Sequence, residues 1–261
     1  MSDAFEAELL AVAVEAADAA GSELMDRFGL VQQGVHAKST PTDLVSDADV
    51  AAERAIRRLL ADRRPDDSIL GEEGGASGSG ELRWLVDPLD GTINFLFGIP
   101  AFAVSIACED ATGTLAGVVL DPAREECFAA TRSGEATLNG EPIQRPRRVG
   151  GLDFAMVATG FAYDARARAR QADVLARVLP RVRDVRRVGA AALDLSWTAC
   201  GRFDAYYERG LNPWDMAAGA LIAARCRLEV RELPATGEDA AGVLVAPREL
   251  IDELFALVSI H

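Results

Sequence analysis

The sequence predicts an α+β layered sandwich forming a single domain over residues 1–261, with an N-terminal half of about 1–148 and a C-terminal half of about 149–261. Three observations carry that expectation. Strand-like and helix-like segments mix without the regular alternation of a doubly wound fold. The first half holds a run of apolar strands joined by tight-turn signals, and amphipathic segments open and close the chain. No self-similarity occurs at the periods of repeat proteins.

In order along the chain, "MSDAFEAELLAVAVEAADAA" places Phe5, Leu9, Val12 and Ala16 on one face of a helix that stops near Gly29. The polar loop "HAKSTPTDLVSDAD" leads into a second helix through about Arg63, with Val50, Ala55, Ile56, Leu59 and Leu60 as its apolar residues. "DSILGEE" reads as a short strand ending in acid, "GGASGSG" as a flexible loop, and "LRWLVD" as another short strand ending in acid. "FAVSIACED" and "TLAGVVLD" flank "ATG", a hairpin signal. "EECFAAT" and "ATLNGEPI" extend that sheet, with "NG" at a turn. Beyond them, "LDFAMVATGF" reads as a strand, Ala165 to Arg183 as a helix, and "GAAALDLSWTACG" as a small-residue helix capped by Gly201. "FDAYYERG" is a strand, "NPWDMAAGALIAARC" a turn into a helix, "GVLVA" a strand and "PRELIDELFALV" the last helix.

Composition removes several classes. Of 261 residues 49% are hydrophobic, enough for a sizeable core. No apolar stretch approaches the roughly 20 residues that span a bilayer, and the N-terminus lacks the basic region of a signal peptide. Cys108, Cys127, Cys200 and Cys226 have no paired spacing, which speaks against a disulfide framework or zinc site and for a cytoplasmic location. His36 and His261 cannot supply a His-rich metal site or an obvious Ser-His-Asp triad. A net charge of −14 disfavours nucleic acid as a partner. Arg166, Arg168, Arg170, Arg177, Arg181, Arg183, Arg186 and Arg187 crowd one segment, either as a solvated face or as an anion or partner contact.

The chemistry concentrates in "WLVDPLDGTINF", Trp84 to Phe95. Pro88 holds Asp87 in extended backbone and has no N–H to donate, so the strand is expected to end at Asp87 and turn through Leu89 and Asp90. Such a turn can aim both carboxylates and the Leu89 carbonyl at one point. Gly91 permits close backbone approach, Thr92 adds a hydroxyl, and "TINF" resembles a helix start whose free N–H groups suit an anion. Glu72 and Glu73 close "SILGEE", Asp43, Asp47 and Asp49 lie at the entry to the second helix, and Asp215 opens "WDMAAG". Two carboxylates about 4 Å apart repel by roughly 4 kcal/mol at an effective dielectric of 20, so a cluster of four needs protons or cations. All-oxygen ligands favour Mg²⁺ or Mn²⁺. Position by position a plainer reading stands beside this one: Asp47 or Asp215 as a helix N-cap, "GEE" as a polar loop, "DG" as a turn, Lys38 as a solvated lysine, and Trp84 and Trp214 as core.

Together these blocks resemble the inositol monophosphatase family. "WLVDPLDGTINF" is similar to its first signature and "NPWDMAAGALIAA" to its second; "TDLVSDADVAAE" and "ILGEEGG" resemble its two upstream blocks, in the same order. The resemblance implies a five-layer αβαβα sandwich, dimeric, that hydrolyses a small-molecule phosphate ester with two or three Mg²⁺ ions and is sensitive to lithium. By position it implies that Glu72, Asp87 and the Leu89 carbonyl hold one ion, that Asp87, Asp90 and Asp215 hold a second, and that Glu72 borders a third. Thr92, supported by Asp49, would orient a water activated by the metal, with Glu72 helping to position it. Gly91 and Thr92 N–H groups would meet the phosphate. Asp90, Asp215, Ala191 and Glu208 would face the polyol, with Gly189, Ala190 and Lys38 alongside. The chain departs from the family pattern at "ARCRLEV" and "RELPATGEDAAG", neither of which removes a ligand. The expected substrate is inositol 1-phosphate or a related polyol phosphate. Histidinol phosphate, a fructose bisphosphate or 3′-phosphoadenosine 5′-phosphate are alternatives within the same chemistry, and an acidic metal-binding or partner-binding module is the alternative outside it.

Overall fold

The computed structural model describes residues 2–31, 34–37, 44–146 and 150–259. Lys38, Asp43, His261 and the expected boundary near Arg148 lie outside the described residues.

The first layer is a helix pair. α1 (Asp3–Met25) starts at Ser2, whose hydroxyl accepts from the Phe5 N–H. It buries Leu9, Val12 and Ala16 on one side. A short ladder of β1 (His36–Ala37) and β2 (Leu44–Val45) precedes α2 (Asp47–Arg63). Ser46 caps α2, and Asp49 closes the capping box by accepting from the Ser46 N–H at 2.8 Å. Ile56 and Leu60 are buried, while Val50 turns outward and is 39% exposed.

The second layer is an eight-stranded sheet in the order β10-β9-β8-β7-β6-β5-β3-β4. Its strands are β3 (Ser68–Gly71), β4 (Gly75–Ser77), β5 (Arg83–Asp90), β6 (Ala103–Asp110), β7 (Gly113–Asp121), β8 (Glu126–Thr131), β9 (Thr137–Leu138) and β10 (Glu141–Pro142), with the short helix α3 (Thr92–Leu96) after β5. β3 pairs parallel to β5, and the other pairs are antiparallel. Side chains alternate across the sheet. Trp84, Val86, Val104, Ile106 and Val118 pack toward α1 and α2, whereas Leu85, Ala107, Val119 and Phe128 pack the other way. Both faces are therefore covered, which is why these strands read as continuous apolar runs.

Two sequence expectations change here. Part of "GGASGSG" is strand, because Gly75–Ser77 doubles back on β3 to form the sheet edge. β5 does not end at Asp87. It runs to Asp90 with a one-residue bulge: Asp87 stands opposite Ser105 and Asp90 opposite Ala103. Pro88 sits inside the bulge, where its missing N–H costs no ladder bond.

The remaining layers come from the second half. After a single 3₁₀ turn at Leu152–Phe154 follow β11 (Met156–Thr159), α4 (Ala165–Val178), β12 (Asp184–Arg186), α5 (Ala191–Ala199), β13 (Ala205–Arg209), α6 (Pro213–Arg225), β14 (Glu229–Leu233), β15 (Gly242–Ala246) and α7 (Arg248–Val258). The expected helix to Arg183 is cut at Val178: a 3₁₀ turn carrying Pro180 ends it, and β12 uses the residues beyond. A five-stranded sheet, β12-β11-β13-β15-β14, forms the fourth layer. α5 and α6 lie between the two sheets, and α4 with α7 cover the outer face. Tyr206, Val243 and Val245 point to the middle helices, and Tyr207, Leu244 and Ala246 point outward. The order is thus αβαβα.

Candidate active site

The bulge in β5 creates the site. In a regular strand residues three apart face opposite sides. One inserted residue brings Asp87 and Asp90 to the same side, beside α5, while Leu89 joins Val86 in the core toward α1 and α2. Asp87 accepts from the Leu89 N–H at 3.0 Å, which fixes the turn. Asp90 reaches across 101 residues of sequence to accept from Ala191 N–H at 3.1 Å and, through its other oxygen, from Ala192 N–H at 2.7 Å. Ala190 at the start of α5 has no side chain able to cap, so Asp90 is that helix's cap. Gly91 follows with φ of 91°, a conformation that disfavours side chains, and an added Cβ would sit 3.0 Å from the Ala101 carbonyl and 3.1 Å from Ala190 Cβ.

Thr92 is held twice. Its Oγ1 lies 2.9 Å from Asp49 Oδ1 and 3.0 Å from the Leu89 carbonyl. Asp49 is itself fixed, its Oδ2 accepting from Ser46 Oγ at 2.7 Å as well as from the Ser46 N–H. Asp215 repeats the device at α6, accepting from the Asn212 N–H at 2.7 Å in a capping box. The plainer capping reading and the site reading hold together for this residue. Asp47 is exposed and is not the cap; Ser46 is.

A cleft of about 330 Å³ gathers these groups. Glu72, Asp87, Leu89, Asp90, Gly91, Thr92 and Asp215 line it together with Gly189, Ala191 and Glu208. Ala190 lies just behind, buried, and Asp49 acts through Thr92. Sequence reasoning missed three contributors. Tyr206 Oη donates to Glu208 Oε2 at 2.7 Å. Asn94 Nδ2 donates to the Ala101 and Val188 carbonyls, tying α3 to the segment between β12 and α5. Arg187 lines the cleft, although the sequence offers only its membership of an arginine cluster as a signal. Other arginines of that cluster are spent on ion pairs, Arg170 with Asp239 at 2.7 Å and Arg181 with Glu253 at 2.9 Å.

The electrostatics are those of crowded acid. Burial, then Glu72, Asp90 and Asp215, push Asp87 well above the usual carboxylate range. Burial raises Asp90 to about 7 against the opposing pull of the Ala192 and Ala191 N–H groups. Glu208 is also pushed up to about 7 by burial, with Tyr206 and Arg187 opposing. Asp87 and Glu72 are in side-chain hydrogen-bond contact. Two carboxyls at that range share a proton or a cation. Among the described residues no group of three or more Asp, Glu, His or Cys side chains is arranged to hold a metal ion. Asp87, Asp90 and Asp215 each spend lone pairs on backbone N–H groups. Their remaining lone pairs and the Leu89 carbonyl make a donor set that is wholly oxygen, which fits a hard divalent cation.

Residues 6–226 match the model of the inositol monophosphatase family. A curated relative from Mycobacterium tuberculosis (strain ATCC 25618 / H37Rv), named Inositol-1-monophosphatase SuhB, is 44% identical over 260 residues, covering 94% of this chain and 90% of the relative. One from Pseudomonas aeruginosa, named Nus factor SuhB, is 43% identical over 228 residues, covering 82% and 81%. The crystal structure of extragenic suppressor protein suhB from Bartonella henselae superposes with a TM-score of 0.88 at 34% identity, covering 96% of this chain and 98% of that one. Fold, acidic cleft and relatives together define a phosphatase enzyme built as an α+β layered sandwich. The chain belongs to the inositol monophosphatase family.

Proposed function

We propose that this phosphatase hydrolyses inositol 1-phosphate or a related polyol phosphate in a Mg²⁺-dependent reaction, by direct attack of water on phosphorus. The observation that carries the reading is the bulged turn at Asp87–Asp90, which directs two carboxylates and the Leu89 carbonyl to one cleft already holding Glu72 and Asp215. Glu72, Asp87 and the Leu89 carbonyl would hold one ion; Asp87, Asp90 and Asp215 would hold a second. When bound, such ions make water more acidic and stabilise charge on the phosphate and on the leaving alkoxide.

The chain's own groups orient the reaction. The Thr92 hydroxyl donates to Asp49 Oδ1, so the Thr92 Oγ1 lone pairs are left to accept from the attacking water. Glu72 lines the same cleft and would take part in that alignment. The Gly91 and Thr92 N–H groups at the start of α3 donate to phosphate oxygens. A P–O bond forms to water, the ester P–O bond breaks, and the polyol leaves with a proton. Tyr206 occupies Glu208 Oε2, which leaves Oε1 to accept from a substrate hydroxyl. The name Nus factor carried by one relative describes another role; the acidic cleft favours the hydrolase here.

Phosphate release from inositol 1-phosphate, followed with and without Mg²⁺, tests the reading. Asp215→Asn is expected to lower turnover by at least about 10²-fold and to weaken Mg²⁺ binding by calorimetry. Asn can keep the bond from Asn212 N–H, so the helix start survives. A variant retaining wild-type turnover would refute the assignment. Asp90→Asn is a poorer probe, because an amide cannot accept from both Ala191 and Ala192 and would also uncap α5.

A further inference from the structure

Beyond Glu72, Asp87, Asp90 and Asp215, the charged side chains lining the cleft are Asp164, Arg187, Glu208 and Arg209. Arg209 is committed, since its Nη1 donates to the Pro234 and Ala240 carbonyls at 2.9 Å each. Arg187 is different. Its side chain is exposed to the cleft, and among the described residues no hydrogen-bond acceptor engages its guanidinium. The backbone leaves room for its placement. Gly189 has φ of 96°, and a Cβ there would collide with Arg187 Nη1. The glycine therefore leaves the space through which Arg187 curls back over the entrance to α5. Asn94 fixes the segment that follows β12 by donating to the Val188 carbonyl at 3.0 Å, so the residues around Arg187 are anchored to α3.

We infer that Arg187 is a substrate-binding residue that reads a second anionic group, a phosphate or a carboxylate, on the alcohol portion of the phosphate ester. This rests on the phosphatase reading above and extends its substrate class to esters that carry a second anion. A guanidinium offers only donors, in a planar fork that matches carboxylate or phosphate oxygens in pairs. A ring hydroxyl is met as well by the nearby Glu208, so a cation is not needed for a neutral polyol. Glu208 and Arg187 then divide the leaving group: hydroxyls to the carboxylate, a second anion to the guanidinium. The division also sorts candidate substrates: bisphosphates of sugars gain a partner in the cleft that a neutral polyol phosphate does not use.

Steady-state kinetics of wild type, R187A and R187K on glycerol phosphate and on fructose bisphosphate, in Mg²⁺ buffer, test this. The ratio of kcat/KM for the bisphosphate over glycerol phosphate is expected to fall about 10- to 100-fold in R187A, mostly through KM. R187K should recover part of it, keeping the charge but losing the fork. An unchanged ratio in R187A, with both esters affected equally, would show that Arg187 only balances the Glu208 charge and would overturn the inference. Wild-type turnover of glycerol phosphate with no turnover of the bisphosphate overturns this inference alone. No phosphate from either ester or from inositol 1-phosphate, with or without Mg²⁺, overturns the parent reading and this one with it. Thermal melts of both variants within a few degrees of wild type establish that the comparison is between folded proteins.

Discussion

Glu208 lies in the cleft with Tyr206 donating to one of its oxygens, and burial raises its carboxyl from an ordinary 4.5 to about 7. A folded-state value above the unfolded one means that the neutral acid is the better-accommodated form. The favourable difference is fully present below 4.5 and is lost as pH rises through 7. Glu208→Gln removes the charge but keeps the acceptor for Tyr206. In metal-free protein this variant is expected to be more stable than wild type by about 1–3 kcal/mol above neutral pH, with the gap closing below pH 4.5. Urea denaturation across that range measures it, and a gap that widened toward acid would contradict the assignment. The same variant should lose more activity on inositol 1-phosphate than on a small generic ester if Glu208 meets ring hydroxyls. Asp90 shows a second pattern at this scale: a residue that serves as a helix cap and as a cleft carboxylate at once, so its structural and chemical roles cannot be separated by one substitution.

Elements matter here through how closely they approach. β7 passes α6 at Gly117, where an added Cβ would lie 2.8 Å from Ala218 Cα and 3.1 Å from Ala218 Cβ. Gly219 on the same helix meets Leu195 of α5 at 2.6 Å in the same sense. The small residues of "WDMAAGALIAA" are thus a packing requirement of the middle layer as well as part of a signature. Gly117→Val forces the sheet and α6 apart and is expected to cost about 1–3 kcal/mol by overpacking. For a chain of this size that is a fall in Tm of roughly 2–10 °C, readable by calorimetry. Because Asp215 rides on α6, Mg²⁺ affinity should fall with it; a variant that melts earlier but binds Mg²⁺ as wild type does would separate packing from the site. The bulge in β5 is the element-scale feature that sequence reading came closest to and still misplaced. Pro88 announces an irregularity, but whether a strand stops or bulges depends on a partner strand being there to continue the ladder, and β6 is.

Across the whole molecule, the cleft draws on both sheets and on the starts of α3, α5 and α6, so the site forms only when all layers are assembled. A ligand that binds only the assembled cleft stabilises it by mass action. Mg²⁺ at about 100 times its Kd is expected to add about 2.7 kcal/mol to the stability of wild type, and Asp215→Asn should largely abolish that gain. A Tm independent of Mg²⁺ in wild type would argue against the cation cluster. No helix among the described residues is long and apolar enough to cross a membrane.

By itself the sequence determined the element types, the blocks that carry the acids and the family they resemble. These are local properties: hydrophobic period, turn chemistry and motif spacing act within a few residues. Tertiary structure alone decided that Asp87 and Asp90 share a face, that Asp90 caps a helix begun 101 residues later, and that Arg187 leaves the arginine cluster to face Glu208. Those outcomes depend on which strand pairs with β5 and on where α5 docks, and close packing across the layers sets both.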